Sequence, residues 1–315
     1  MPSTPSTRPS MATSTAVRLA RGVTGRDKIV IFHGNFHGAT DALLAAGGSG
    51  VATLGLPGTA GVPASAVEHT LVVPYNQVPE LDDSVAAVLV EPIAANMGVI
   101  APAPGFLEGL RAECDRVGAL LVFDEVITGF RIGPGGAQAK YDIRPDLTTY
   151  GKVIGGGVPI GALGGAAEIM DQLSPLGPVF HSGTLSGNPL ATAAGASVLE
   201  HLTGDVHIEL LARARALSAL LRDACSAAGL PAAFPVVGSL VGTFFGGTTP
   251  PVDFVGAKQT DEAMYARFFH AMLDEGVALA PGAYEAMFVG LAHTDEIIEQ
   301  IGQAAERAAL VAARG

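Results

Sequence analysis

Cysteine, tryptophan, lysine and charged residues are all scarce in this chain of 315 residues. The two cysteines, Cys114 and Cys225, cannot build a disulfide framework, so we expect a reducing, cytoplasmic setting. Only 15% of the residues are charged, and the formal net charge is −12. This balance argues against binding to nucleic acids or membrane surfaces, because both need clustered Lys and Arg. No uninterrupted apolar run approaches the roughly 20 residues of a membrane span.

Hydrophobic residues, in contrast, make up 49% of the chain, which is enough for a large core. Several short apolar runs have the length and the β-branched content of buried strands, and a helical pattern separates two of them. Continuous apolar strands separated by helices predict an α/β fold with a mostly parallel sheet covered on both faces. The predicted strands are Lys28–Phe32, Val85–Pro92 and Ala119–Val126, and the predicted helix is Phe106–Val117.

The C-terminal third has a different pattern. Short apolar runs at Leu240–Phe245 and Val277–Ala280, with a helix at Asp261–Glu275 between them, predict a smaller α+β domain. The first residues are rich in Ser, Thr and Pro, which is typical of a solvated tail. We therefore divide the chain into a flexible tail (1–11), a large domain (12–200) and a small C-terminal domain (201–315).

Lysine is rare enough that each one matters, and Lys152 stands in a glycine-rich segment, residues 148–165. The segment does not fit a phosphate-binding P-loop, which needs Gly where Asp146 stands and Ser or Thr where Val153 stands. Burial among apolar residues would lower the pKa of the amine and favour a neutral nucleophile that can condense with an aldehyde. The alternative is an exposed lysine in a turn, which is the usual place for lysine.

Acidic and aromatic residues follow the predicted strands, and ligands of parallel sheets bind at the carboxyl ends of strands. Asp124 and Glu125 end one apolar run, where a buried carboxylate needs a cation or a strong donor. A protonated pyridine nitrogen is one such partner, while a metal or a helix cap are the alternatives. His33 and His37 flank an aromatic turn, but a zinc site there would need a third ligand.

Many segments match one family in order along the chain, from about residue 12 to the C-terminus. The chain resembles the class III (fold type I) aminotransferases, and most closely the glutamate-1-semialdehyde 2,1-aminomutases. The resemblance implies a fold type I enzyme that depends on pyridoxal 5′-phosphate (PLP) and passes through its pyridoxamine 5′-phosphate form. The matched segments are TGRDKI, GSGVATLGLP, FDEVITGFRIGPGG, PDLTTYGKVIGGGVPIGA, GTLSGNPLA, APGAYEA and LAHT.

The resemblance implies cofactor-binding roles. Lys152 matches the Schiff-base lysine, which also carries protons, and Asp124 matches the partner of the pyridine nitrogen. Phe36 matches the aromatic residue that stacks on the ring, where many aminomutases have Tyr. Asn96 matches a residue near the cofactor 3-hydroxyl. The remaining cofactor-binding matches are Val126, which packs on the ring, together with His37, Gly38 and Glu91.

Other matches concern the substrate and a second subunit. Thr184 matches a residue that reaches the phosphate of the neighbouring subunit, which implies a homodimer. The segment 47–61, with Ser49 and Gly50, matches the aminomutase gating loop. Glu285 matches an acid at the substrate entrance.

The chain departs from the family at its N-terminus, where the family's N-terminal segment and its Ser-Gly-Thr phosphate cup have no counterpart. Arg8, Pro9 and Ser10 stand where the cup would fall, and proline has no backbone N–H to donate. Phosphate sites at helix N-termini depend on such donors, so we expect a weakened phosphate site.

The resemblance implies three functions. The first is a PLP-dependent aminomutase, an isomerase that moves an amino group within a small amino-aldehyde such as glutamate 1-semialdehyde to form 5-aminolevulinate or a related product. The second is an aminotransferase, or an amino-acid isomerase or racemase, in specialised metabolism. The third is a truncated, non-catalytic homologue or a partner subunit that keeps the fold. A Schiff base at Lys152 separates the first two from the third.

Overall fold

A mainly parallel sheet forms the centre of the protein in the computed structural model, which describes residues 3–6, 9–45 and 59–314. Within these ranges the strands are β1 (Ser3–Ser6), β2 (Lys28–Phe32), β3 (Thr70–Val73), β4 (Val85–Val90), β5 (Leu120–Glu125), β6 (Leu147–Tyr150), β7 (Gly161–Gly165), β8 (Ala232–Ala233), β9 (Val236–Val237), β10 (Leu240–Val241), β11 (Phe244–Phe245) and β12 (Met287–Phe288). The helices of the same ranges are α1 (Pro9–Thr24), α2 (Ala64–Val67), α3 (Phe106–Val117), α4 (Gly136–Tyr141), α5 (Ala167–Met170), α6 (Pro189–His201), α7 (Gly204–Ala227), α8 (Phe254–Lys258), α9 (Glu262–Asp274) and α10 (Asp295–Ala312).

The central sheet has the strand order β1-β7-β6-β5-β4-β2-β3. Strands β3, β2, β4, β5 and β6 run parallel, whereas β7 is antiparallel to β6 and β1 is antiparallel to β7. In the parallel part, the carboxyl ends of the strands lie at one edge, where ligands bind in sheets of this kind.

Apolar layers cover both faces of the sheet and explain the uninterrupted apolar runs. Every residue of β4 is buried. On one face, Leu89 and Val122 pack with residues of α1 such as Leu19. On the other, Val88 and Phe123 pack with residues of α3. The predicted α/β architecture with a mostly parallel sheet of seven strands is confirmed.

A second apolar core lies in the C-terminal part, where α7, α9 and α10 pack around short strands. Helix α7 contributes a buried stripe to this core, which includes Leu210, Leu217 and Leu221. The run Leu240–Phe245 is not one strand: β10 pairs with β9 and β12, while β11 pairs with β8. Residues 277–280 form no strand. The division into domains near residue 200 stays a prediction.

None of the helices in the described ranges is both long enough and apolar enough to cross a membrane.

Candidate active site

A cavity of about 440 Å³ opens beyond the carboxyl ends of β2, β4 and β5. Its wall combines two carboxylates and a lysine with apolar side chains, so a charged group inside it would meet few competing waters. The lining residues are Pro9, Ser10, Thr13, Phe36, His37, Gly38, Glu91, Ile93, Asn96, Asp124, Val126, Ile127, Lys152 and Pro159.

Asp124 is the last residue but one of the buried strand β5 and is only 4% exposed. Its Oδ2 lies 2.7 Å from Nδ1 of His37, which is also buried. Its Oδ1 accepts hydrogen bonds from Oγ1 of Thr149 at 3.1 Å and from the amide of Val126 at 3.1 Å. Three donors therefore hold this carboxylate in one orientation and compensate for its burial.

Glu91 follows β4 directly and joins three parts of the cavity wall. Its Oε1 accepts from the amide of Phe36 at 2.6 Å and from Nδ2 of Asn96 at 2.8 Å. Its Oε2 accepts from the amide of Ala95 at 2.8 Å. Burial raises the pKa of Glu91, and the nearby His37 opposes that rise. The carboxylate fixes the aromatic turn and the Asn96 loop to the end of the same strand.

Lys152 begins a 3-10 turn after β6, with a left-handed backbone of φ 46°. Lys152 as a whole residue is exposed at the cavity, but the protein atoms around the amine desolvate it in part and lower its pKa. The carboxylates of Glu91, Asp124 and Glu285 act in the opposite direction, and they lie close enough to raise the pKa. The desolvation dominates, which favours a neutral amine.

Gly151 allows the turn of Lys152 to approach the rest of the wall. A Cβ at Gly151 would lie 2.5 Å from Cγ of Pro9 and 3.3 Å from Cγ1 of Val126. A side chain at this position would push the turn away from α1 and from the loop after β5.

The N-terminus of α1 lies at the cavity, because the helix begins at Pro9. Pro9 occupies the first turn, where its fixed φ suits a helix and its missing N–H costs nothing. Thr13 Oγ1 donates to the carbonyl of His37 at 2.6 Å, and Ser10 Oγ accepts from the amide of Ala39 at 3.3 Å. The first turn of a helix leaves backbone amides without partners inside the helix, so this end can donate to an anion.

Most of the predicted site residues meet in this cavity. Glu285 does not line it but lies within electrostatic reach of Lys152. Thr184 is exposed on a turn and does not line the cavity. Ser49, Gly50 and Arg8 lie outside the described residues. The predicted residues that do line the cavity are Phe36, His37, Gly38, Glu91, Asn96, Asp124, Val126 and Lys152.

Sequence reasoning missed the residues that support the site. Thr149 donates to Asp124 from the neighbouring strand, and its position three residues before Lys152 was the available signal. Ser10 and Thr13 contact the aromatic turn, although they lie in or next to the predicted tail. Within the described parts of the chain, no group of three or more His, Cys, Asp or Glu residues could hold a metal ion.

The sequence model of the family "Aminotransferase class-III" matches residues 7–308. Among solved structures, an omega-transaminase from Sphaerobacter thermophilus superposes with a TM-score of 0.87 at 28% identity, covering 99% of this chain and 74% of that one. A glutamate-1-semialdehyde aminomutase from Pseudomonas aeruginosa PAO1, in complex with PMP, superposes with a TM-score of 0.85 at 27% identity, covering 98% of this chain and 71% of that one. A β-phenylalanine aminotransferase from Variovorax paradoxus superposes with a TM-score of 0.80 at 32% identity, covering 96% of this chain and 69% of that one.

Proposed function

The chain belongs to the class III aminotransferase family of PLP-dependent enzymes, and we propose that it is a 2,1-aminomutase of the glutamate-1-semialdehyde type. The observation that carries this proposal is the position of Lys152 at the cavity, where its desolvated amine lies within electrostatic reach of Glu91, Asp124 and Glu285. The substrate would be a small amino-aldehyde or amino acid.

The residues of the cavity fit PLP. Asp124 is a buried carboxylate that has neither Lys nor Arg among its hydrogen-bond donors in the described residues, so a protonated pyridine nitrogen is a cation that it can accept. Phe36 is 41% exposed although it lines the cavity, which leaves its ring face free for a planar ligand. Val126 provides an apolar surface in the same wall. When bound, PLP supplies an electron sink for the carbon that carries the amino group.

Lys152 would hold PLP covalently through its Nζ and would move protons at that atom. The lowered pKa makes the neutral, nucleophilic amine accessible at a lower pH than in an ordinary lysine. The nearby carboxylates stabilise the protonated form once a proton has been taken up. Because desolvation lowers the pKa and the carboxylates raise it, the same amine can act as both base and acid.

His37 and Asp124 would keep a proton on the pyridine nitrogen. His37 can donate from Nδ1 to Asp124 Oδ2 and thereby support the negative charge of that carboxylate. Asn96, held by Glu91, would donate or accept at the 3-hydroxyl of the ring. Ser10 and Thr13, at the N-terminus of α1, lie where backbone amides would bind the phosphate.

Glu285 favours the aminomutase over the second candidate, an aminotransferase. A carboxylate close to Lys152 can hold a cationic amino group of a substrate that carries a second amine. The specific support for the aminotransferase is the apolar wall of Ile93, Val126 and Ile127, which suits the apolar body of an amine substrate.

We also propose a homodimer in which Thr184 contributes to the site of the second subunit. Thr184 is exposed on a turn. Exposed large apolar side chains precede and follow it in the sequence, and exposed apolar surface is a feature of protein interfaces. These side chains are Leu176, Phe180, Leu185 and Leu190.

The test is absorption spectroscopy of the purified protein with added PLP, before and after borohydride, beside Lys152→Ala and the control Lys140→Ala. We expect a band of bound cofactor that borohydride traps on the wild type and on Lys140→Ala but not on Lys152→Ala. Glutamate 1-semialdehyde alone should then yield 5-aminolevulinate.

Other outcomes lead to the alternatives. Conversion only when a separate amino donor and acceptor are supplied would replace the aminomutase by the aminotransferase. No trapped PLP at saturating concentration would contradict both and would leave the non-catalytic homologue or partner subunit.

A further inference from the structure

Glu125 is a buried acid that the proposed chemistry does not use. Successive side chains of a strand point to opposite faces, so Glu125 points away from the cavity that Asp124 lines. It is 1% exposed, and burial raises the pKa of its carboxyl. Neither Lys nor Arg is among its hydrogen-bond donors in the described chain. A charge in such a place is costly unless hydrogen-bond donors compensate for its burial.

Four donors surround the carboxylate of Glu125, and all of them belong to the segment 128–138. Oε2 accepts from Oγ1 of Thr128 at 2.9 Å and from the amide of Ala137 at 2.7 Å. Oε1 accepts from the amide of Gln138 at 3.3 Å and from its Nε2 at 3.1 Å. One carboxylate therefore ties both ends of the loop 126–138, whose last three residues begin α4, to the last residue of β5.

Gly136 shows how closely the loop approaches this carboxylate. Its φ is 60°, in the left-handed region, and a Cβ there would lie 2.3 Å from Oε2 of Glu125. The position demands glycine for its backbone angle and for its space.

The start of the tied loop is also part of the cofactor site. Val126 and Ile127 line the cavity, and the amide of Val126 donates to Oδ1 of Asp124. The other end of the loop reaches the strand before Lys152, because Nε2 of Gln138 also donates to the hydroxyl of Tyr150 at 3.0 Å.

We propose that Glu125 is a positioning residue, which holds the loop 126–138 so that Val126 keeps its hydrogen bond to Asp124. This role rests on the proposed PLP site. Glu125 contacts neither the cofactor nor the substrate, and it acts through Val126 and Asp124.

The test is Glu125→Gln, which keeps the size of the side chain. Either orientation of the new amide turns an N–H group toward a backbone N–H, that of Ala137 or that of Gln138. Glu113→Gln is the matched control, because Glu113 also accepts from a backbone amide, that of Leu81, but lies on α3 away from the cavity.

Glu125→Gln should raise the Kd for PLP about tenfold, as expected for loss of hydrogen bonds to a charged group. The pH midpoint of the cofactor absorption band should also move upward. A pyridine nitrogen that is less firmly protonated withdraws less electron density from the lysine nitrogen. A purely structural role would lower the unfolding temperature without moving this midpoint. Glu113→Gln should leave both Kd and midpoint unchanged.

Wild-type values of Kd and midpoint in a folded Glu125→Gln protein would overturn the proposal. If that variant does not fold, Thr128→Val and Gln138→Leu each remove donors while keeping the carboxylate, and both should move the midpoint in the same direction. An unmoved midpoint in these two would also overturn it. Failure of the wild type itself to bind PLP would instead contradict the proposed function.

Discussion

His37 and Asp124 form a fully buried pair whose Nδ1 and Oδ2 atoms lie 2.7 Å apart. A neutral imidazole that donates from Nδ1 has an acceptor at Nε2, and this atom has no hydrogen-bond partner among the described residues. The other two donors to Asp124 come from Thr149 and Val126. We therefore infer that His37 orients the carboxylate of Asp124 and does not itself bind the cofactor.

His37→Leu should weaken PLP binding about tenfold, because it removes a hydrogen bond to a charged group while filling similar space. His37→Asn, which can still donate near the Nδ1 position, should lose less. Fluorescence titration with PLP measures both Kd values. His33→Leu is the control, since His33 is exposed beside the same turn. Equal effects of His33→Leu and His37→Leu would show that the loss does not come from the pair.

Glu91→Gln should lower the free energy of unfolding by about 1–3 kcal/mol, because a buried amide cannot accept from all three donors that Glu91 satisfies. Urea denaturation of the PLP-free protein measures the change. Glu108→Gln, an exposed position on α3, should stay within about 0.5 kcal/mol of the wild type. A Glu91→Gln protein as stable as this control would mean that the three contacts contribute little.

The strands and helices that could be predicted from the sequence are those whose bounds depend on residues adjacent in the chain. The strand Lys28–Phe32 and the helix Phe106–Val117 have the predicted bounds, because the strand is a short β-branched run and the helix lies between two glycines. The alternation of such elements was sufficient to predict the parallel sheet. The site at the strand ends followed from the resemblance and from the acids there.

The contacts within the site could not be predicted, because they join residues far apart in the chain. His37 and Asp124 are 87 positions apart, and only the order of β2, β4 and β5 in the sheet brings them together. The neighbouring sequence does not show which of Asp124 and Glu125 lines the cavity, because that depends on which face of β5 each side chain occupies. Residues 277–280 have the composition of a strand, but strand formation requires a neighbouring strand to pair with.

The rate at which PLP becomes trapped on Lys152 should rise with pH and level off below about pH 10.4, the ordinary value for lysine. Desolvation by the surrounding protein atoms disfavours the charged amine and lowers its pKa, so the neutral fraction at a given pH exceeds that of an ordinary lysine. Borohydride quenching at successive pH values, followed by peptide mass analysis, measures trapping at Lys152 and at the exposed Lys140 in the same sample. The same pH profile at both lysines would contradict a desolvated Lys152.

Leu185→Asp should convert the proposed homodimer to monomers, because it places a charge within the exposed apolar patch around Thr184. Sedimentation velocity measures the oligomeric state, and Val255→Asp, at an exposed position on α8, is the control. If Thr184 completes the site of the second subunit, Leu185→Asp and Thr184→Ala should both weaken PLP binding, but only Leu185→Asp should change the sedimentation coefficient. A monomeric variant that binds PLP as tightly as the wild type would separate the interface from the cofactor site and contradict the role of Thr184.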